Sequence, residues 1–174
     1  MKTAFDRRGL VTGVLGTVGL VVTGCGFKPL YGTPENGAGA SLEMASVRVD
    51  PIPDRIGQIL RNELTDRLTA GVGPQPTRYR LFVEIEESTA PLQIQTTDTI
   101  TRYNFTLSAS FQLLDSTTGN VVYDDSARAV GSYDVVESEF ATLVAEQETG
   151  REAARDLSSS IAALLALYFS RDTG

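Results

Sequence analysis

Thr101-Arg102-Tyr103-Asn104-Phe105-Thr106-Leu107-Ser108-Ala109-Ser110-Phe111-Gln112-Leu113-Leu114 is the most regular pattern in this chain of 174 residues. Its odd positions from Tyr103 to Leu113 are apolar and its even positions from Arg102 to Gln112 are polar. Successive side chains of a strand point to opposite faces, so a period of two predicts a β-strand with one face in a core and the other outside it.

The flanking segments supply the rest of a sheet. Asp115-Ser116-Thr117-Thr118-Gly119-Asn120 is a run of turn formers, and Val121 to Val135 follows as a further strand, which predicts an antiparallel hairpin. Upstream, Arg78 to Glu87 alternates, with Leu81, Val83 and Ile85 on one side and Arg80, Phe82, Glu84 and Glu86 on the other. Earlier still, Leu42, Met44 and Val47-Arg48-Val49 suggest a strand from Leu42 to Asp50, stopped by Pro51 and Pro53.

Two helices complete the pattern. After Asp54, read as an N-cap, Ile56, Ile59, Leu60, Leu64 and Leu68 recur at three- and four-residue spacing until Gly71 and Gly73-Pro74 end the helix. A longer helix is expected from Glu139 to Phe169, with Phe140, Leu143, Val144, Ala154, Leu157, Ile161, Leu164, Leu165 and Tyr168 on one face and a middle weakened by Gln147 and Gly150. The order βαβββα predicts an α+β two-layer sandwich, a four-stranded and mainly antiparallel sheet carrying two helices on its apolar face.

The N-terminus has a different character. Lys2, Arg7 and Arg8 precede an uncharged stretch from Gly9 to Val22, the shape of an export signal and shorter than the roughly 20 residues that span a bilayer. It ends in Val22-Thr23-Gly24-Cys25, which resembles the bacterial lipobox, and Cys25 is the one cysteine of the chain. Residues 1–24 are therefore expected to be a cleaved signal peptide. Cys25 then carries S-diacylglycerol and N-palmitoyl chains, since stable anchoring takes more than one acyl chain. The residues after Arg7-Arg8 fit a twin-arginine signal poorly, so the general secretory route is expected. Gly26 in the position after the cysteine, where an Asp would signal inner-membrane retention, points by resemblance to the outer membrane. Residues 25–40, rich in Gly and Pro, read as the lipidated end and a tether, and 41–174 as a single α+β domain.

Composition narrows the function. Of 15 basic and 22 acidic residues, Lys2, Arg7, Arg8 and Asp6 precede Cys25, leaving 12 against 21 and a net charge of −9, which argues against nucleic acid as a partner. There is no histidine, so a Ser-His-Asp triad and histidine-ligated zinc are excluded. Glu84 and Glu86 resemble an acid and base pair, yet two solvated acids explain them equally well. Asp124, Asp125 and Asp134 lack the dense ligand spacing of a calcium loop. No metal, cofactor or catalytic residue is expected.

The outer face of the central strand is the candidate site. Arg102, Asn104, Thr106, Ser108, Ser110 and Gln112 carry only one charge among them. Uncharged polar side chains suit contact with another polar protein wall such as a β-barrel lumen, although Ser and Thr are also ordinary on exposed strands.

Cys25-Gly26-Phe27-Lys28-Pro29-Leu30-Tyr31-Gly32 closely resembles the start of the mature LPS-assembly lipoproteins, the LptE (RlpB) family. The helix from Arg55 to Leu64 and the aromatic strand Arg102-Tyr103-Asn104-Phe105 are consistent with it. The resemblance implies a nonenzymatic lipoprotein, lipid-anchored on the periplasmic side of the outer membrane. It also implies that the protein plugs the LPS-translocating barrel LptD, assists its assembly and contacts lipopolysaccharide. Anionic lipid A phosphates call for basic partners. Arg78, Arg80 and Arg102 are the candidates, each also readable as an ordinary solvated arginine. The rival reading is a cell-envelope lipoprotein that serves as scaffold or assembly factor for another complex.

Overall fold

The alternation in residues 101–114 does form a strand, and it lies inside the sheet. The computed structural model of the protein describes residues 38–92 and 101–172. Val22, Thr23, Gly24 and Cys25, with the signal peptide and most of the tether, lie outside the described residues. Along the chain run α1 (Ala38–Ala45), β1 (Val47–Val49), α2 (Asp54–Leu68), β2 (Tyr79–Leu92), β3 (Thr101–Asp115), β4 (Val121–Val135) and α3 (Glu139–Asp172).

The sheet order is β1-β2-β3-β4, with β2, β3 and β4 joined antiparallel and β1 parallel to β2. The parallel pair follows from α2, because a chain that re-enters a sheet in the same direction needs a crossover, here a helix. The fold is therefore α+β as expected, with a mixed sheet and three helices.

The hairpin between β3 and β4 matches the sequence reading at both ends. Asp115 accepts hydrogen bonds from the backbone N–H groups of Thr117 and Thr118, both at 2.8 Å, and its own C=O accepts from Gly119 N at 2.8 Å. Gly119 has φ of 72°, a left-handed conformation that costs glycine little. Those N–H donors hold the Asp115 carboxyl below its ordinary pKa, because they favour the charged form.

Three expectations are corrected. Leu42 and Met44 belong to α1 and not to a strand, so the first strand shrinks to Val47–Val49. Ala40 and Met44, one helical turn apart, pack toward the core in a segment made of Ala, Ser, Leu, Glu and Met. Asp54 is the first residue of α2, with φ of 63°, and Pro53 in extended conformation holds the N-cap position without a side-chain cap. The third concerns α3. It runs unbroken for 34 residues through Gln147 and Gly150, yet Phe140, Leu143 and Val144 are exposed, Phe140 at 76%. The inward line, traced back from Leu157 through Ala154 and Gly150, passes Ala145 and Thr142 instead.

Gly150 marks a close approach. A Cβ there would stand 2.9 Å from Ile56 Cδ1 and 3.6 Å from Phe105 Cζ, so its missing side chain lets α3 settle against α2 and β3.

One core joins the layers. Leu60, Leu64 and Leu68 of α2 meet Leu81 and Val83 of β2, the odd residues of β3, and Leu157, Ile161, Leu165 and Phe169 of α3. Between the helices, Arg67 Nε donates to the buried Ser158 Oγ at 2.8 Å, and Ser158 Oγ donates to the C=O of Arg155 at 2.7 Å. Among the described residues no helix is long and apolar enough to cross a membrane.

Candidate functional site

With the helices on the odd face of β3, the even face is left without a covering layer among the described residues. Its middle column is the sequence-predicted set: Arg102, Asn104, Thr106, Ser108, Ser110 and Gln112. Register places Leu92, Ala90, Ser88, Glu86, Glu84 and Phe82 of β2 beside them in turn. On the other side stand Asp134, Ser132, Val130, Arg128, Ser126 and Asp124 of β4.

The result is one long face. Asn104, Thr106 and Ser108 are half-buried by their neighbours and small enough to leave the backbone close to the surface. Rows Ser88–Thr106–Val130 and Ala90–Asn104–Ser132 carry no charge, while the rows toward the hairpin carry Glu84, Glu86, Arg128 and Asp124. A hollow of about 220 Å³ lies at the hairpin end, lined by Phe82, Glu84, Ser110, Phe111, Gln112, Asp124 and Asp125. Its three carboxylates repel an anion and suit no phosphate.

Charged side chains at the two ends are already engaged. Arg102 Nε donates to Asp134 Oδ1 at 2.8 Å and Arg102 Nη2 to Oδ2 at 3.3 Å, a two-point pair that holds the Asp134 carboxyl below its ordinary range. Arg80 pairs in the same forked way with Asp50, and Arg78 Nη1 donates to Glu43 Oε1 at 2.6 Å, tying α1 to β2.

The three arginines do not form one site. Arg80 lies opposite Leu114 and Arg102 opposite Leu92, so they sit at opposite ends of the sheet, some 40 Å apart at about 3.3 Å per residue. The acidic residues are dispersed as well. Asp134 is paired with Arg102, while Asp125 accepts a hydrogen bond from Tyr123 Oη at 2.6 Å. Burial first, then that bond to a carboxylate, pushes the Tyr123 hydroxyl up to about 12.

Sequence reasoning missed the contribution of β4 to this face. Its even positions Asp124, Ser126, Arg128, Ser132 and Asp134 follow the same period as β3. The pattern was blurred by Asp125 and Gly131 at odd positions and by Val130 at an even one. Gly131 stands where a Cβ would meet Thr149 Cγ2 at 2.5 Å, so α3 rests directly on this strand.

Comparison with solved structures places the same architecture in bacterial lipoproteins. One from Caulobacter crescentus CB15 superposes with a TM-score of 0.63 at 23% identity, covering 77% of this chain and 98% of that one. The minor lipoprotein of Acinetobacter baumannii gives 0.56 at 23%, covering 70% and 92%. The rare lipoprotein B of Shewanella oneidensis gives 0.51 at 11%, again covering 70% and 92%. At these identities the likeness is one of fold. Comparison with the curated proteins finds no match. The model of the LptE family, described as lipopolysaccharide-assembly, matches residues 44–165, which takes in every strand, α2 and the greater part of α3. With the greater part of its length inside that match, this chain belongs to the LptE lipopolysaccharide-assembly family.

Proposed function

We propose that the protein is an outer-membrane lipoprotein, anchored through acyl chains on Cys25 and facing the periplasm. In this reading it fills the lumen of the LPS-translocating barrel LptD, assists assembly of that barrel and contacts lipopolysaccharide on its way to the surface. Its work is nonenzymatic. Family membership supports the role in lipopolysaccharide assembly.

The observation that carries the barrel reading is the even face of the sheet, where Asn104, Thr106, Ser108 and Ser110 present small uncharged groups without a covering layer among the described residues. A porin-like lumen is lined by polar side chains, and a strand face with few long charged residues approaches such a wall without desolvating charges. Of the arginines on this face, which include Arg128, those expected to meet lipid A phosphate are Arg80 and Arg102, with Arg78 at its margin. Each would exchange a carboxylate partner for a phosphate.

Copurification tests this. The lipidated protein, carrying a C-terminal tag, is extracted from gently solubilised outer membranes and its companions are identified by mass spectrometry. A stoichiometric large barrel carrying lipopolysaccharide is the expected outcome. Recovery alone, or with inner-membrane or peptidoglycan-associated proteins only, overturns it in favour of a scaffold for another envelope complex. Ser108→Arg with Ser110→Arg should abolish barrel recovery while leaving the melting temperature of the isolated protein within about 2 °C, because exposed and half-exposed sites carry little stability.

A further inference from the structure

The first turns of α3 carry an apolar stripe on the side away from the core. Phe140, Leu143 and Val144 are exposed at 76%, 50% and 49%, and Val136, in the link from β4, at 46%. Spacings of three and four residues put the first three on one side of the helix, while Thr142, Ala145 and Thr149 are among the partly buried positions of these turns. A lone apolar residue on a surface is ordinary, whereas an adjoining set marks a contact.

The stripe is held in place. Ser138 Oγ accepts from Ala141 N at 3.3 Å and the Ser138 C=O accepts from Thr142 N at 3.1 Å, so the start of the helix is capped. The Thr142 hydroxyl accepts from Val136 N at 3.2 Å and donates to the Val136 C=O at 3.3 Å, which pins the end of β4 to the first turn of α3. Apolar residues at this spacing on a preorganised helix are the surface that helix-in-groove recognition uses.

Charge selects the occupant. Glu137, Glu139, Glu146 and Glu148 lie in the segment 136–150, which contains no Lys or Arg. Arg55, whose Nη1 donates to Gln147 Oε1 at 3.4 Å, and Arg151, paired with Glu148, stand at the far end of the stripe. At the near end, Glu137 and Glu139 form no ion pair among the described residues. Helices that lie on a bilayer turn Lys and Arg toward its headgroups, and an acidic start is repelled by anionic lipid. A second copy would bring the same four acids to the contact. We propose that the start of α3 docks into an apolar groove on a protein partner, and that Lys or Arg on the rim of that groove pairs with Glu137 and Glu139.

The stripe belongs to the helix layer, at the end of the sheet away from the Asp115–Asn120 turn, so this contact leaves the even face free. It does not rest on the barrel reading. Failure to recover a barrel leaves it standing, and recovery of one does not establish it.

Site-specific photocrosslinking in native membranes tests the contact. The full-length lipoprotein, with p-benzoylphenylalanine in place of Phe140, is irradiated in cells, and the crosslinked peptide is sequenced by mass spectrometry. One protein should be captured, through a peptide that carries apolar residues with Lys or Arg beside them. The same probe in place of Leu167, 48% exposed near the other end of α3, should not capture that peptide. Glu137→Lys with Glu139→Lys should lower capture from position 140 about tenfold, because two attractive pairs become repulsive. The melting temperature of the isolated protein should stay within about 2 °C of the parent. Capture of lipid, of a second copy or of another segment of this chain overturns the proposal, as does no capture at all. Equal capture from positions 140 and 167, or a charge reversal without effect, overturns it as well.

Discussion

Glu87 shows how single residues set the response of this protein to pH. Partial burial of its carboxyl, then the negative charges of Asp54 and Glu146, raise its pKa above 4.5. A carboxyl that binds its proton more tightly when folded stabilises the fold below its unfolded pKa, and that contribution is lost as pH rises through the folded value. Glu87→Gln should therefore melt higher than the parent at pH 7, with the difference shrinking to nothing below pH 4.5; a melting series across that window decides it. The exposed Asp115, Asp125 and Asp134 have the opposite sign, their pKa values being lowered by hydrogen bonds, so their contribution is present above 3.8 and fades as pH falls through the folded values. Gly57 is a second case in which one atom matters. A Cβ on this buried helical residue would meet Ile52 Cγ2 at 2.6 Å and the Ile52 carbonyl carbon at 3.1 Å. Alanine is the better helix former by about 1 kcal/mol, but backbone cannot rotate out of the way as a side chain can. Gly57→Ala should lower stability by about 1–2 kcal/mol in urea unfolding, and a gain would show that the segment before α2 yields.

At the scale of elements, periodicity was a good guide where it ran uninterrupted. β3 alternates without a break, the turn at Asp115–Asn120 has residues suited to its backbone, and β4 starts and stops where the sequence indicates. It misled where apolar runs were short or separated. Leu42, Met44, Val47 and Val49 fit a strand as well as a helix followed by a strand, because a short apolar run does not define its own period. In α3 the helical phase was carried across Gln147 to Gly150 and emerged on the wrong side, leaving Phe140, Leu143 and Val144 outside. Replacing Phe140 and Leu143 with Ser should leave thermal stability of the isolated protein unchanged within about 0.5 kcal/mol, whereas Leu157→Ala, at a fully buried site, should cost about 2–5 kcal/mol. Comparable losses from both variants would mean that the first turns of α3 are packed after all.

For the molecule as a whole, both layers depend on the last helix. A chain ending at Ser160 loses Ile161, Leu165 and Phe169, all essentially inaccessible, and at about 1.5–3 kcal/mol for each buried side chain that is comparable to the entire stability of a small domain. Such a truncation should show no cooperative thermal transition by circular dichroism; a sharp melt would place the core elsewhere. The order of residues along the chain was enough to specify β3, β4, β2 as far as Glu87 though it runs on to Leu92, the helix α2, the apolar face and the uncharged column from Asn104 to Gln112. Each is written in local periodicity, which hydrophobic burial enforces. The parallel placement of β1, the phase of α3 and the identity of the satisfied charges were settled only when the elements packed together. Arg78, Arg80 and Arg102 read alike along the chain, yet their partners Glu43, Asp50 and Asp134 lie 35, 30 and 32 residues away. Pairing over such distances is set by which strands and helices meet, and local sequence carries no record of it.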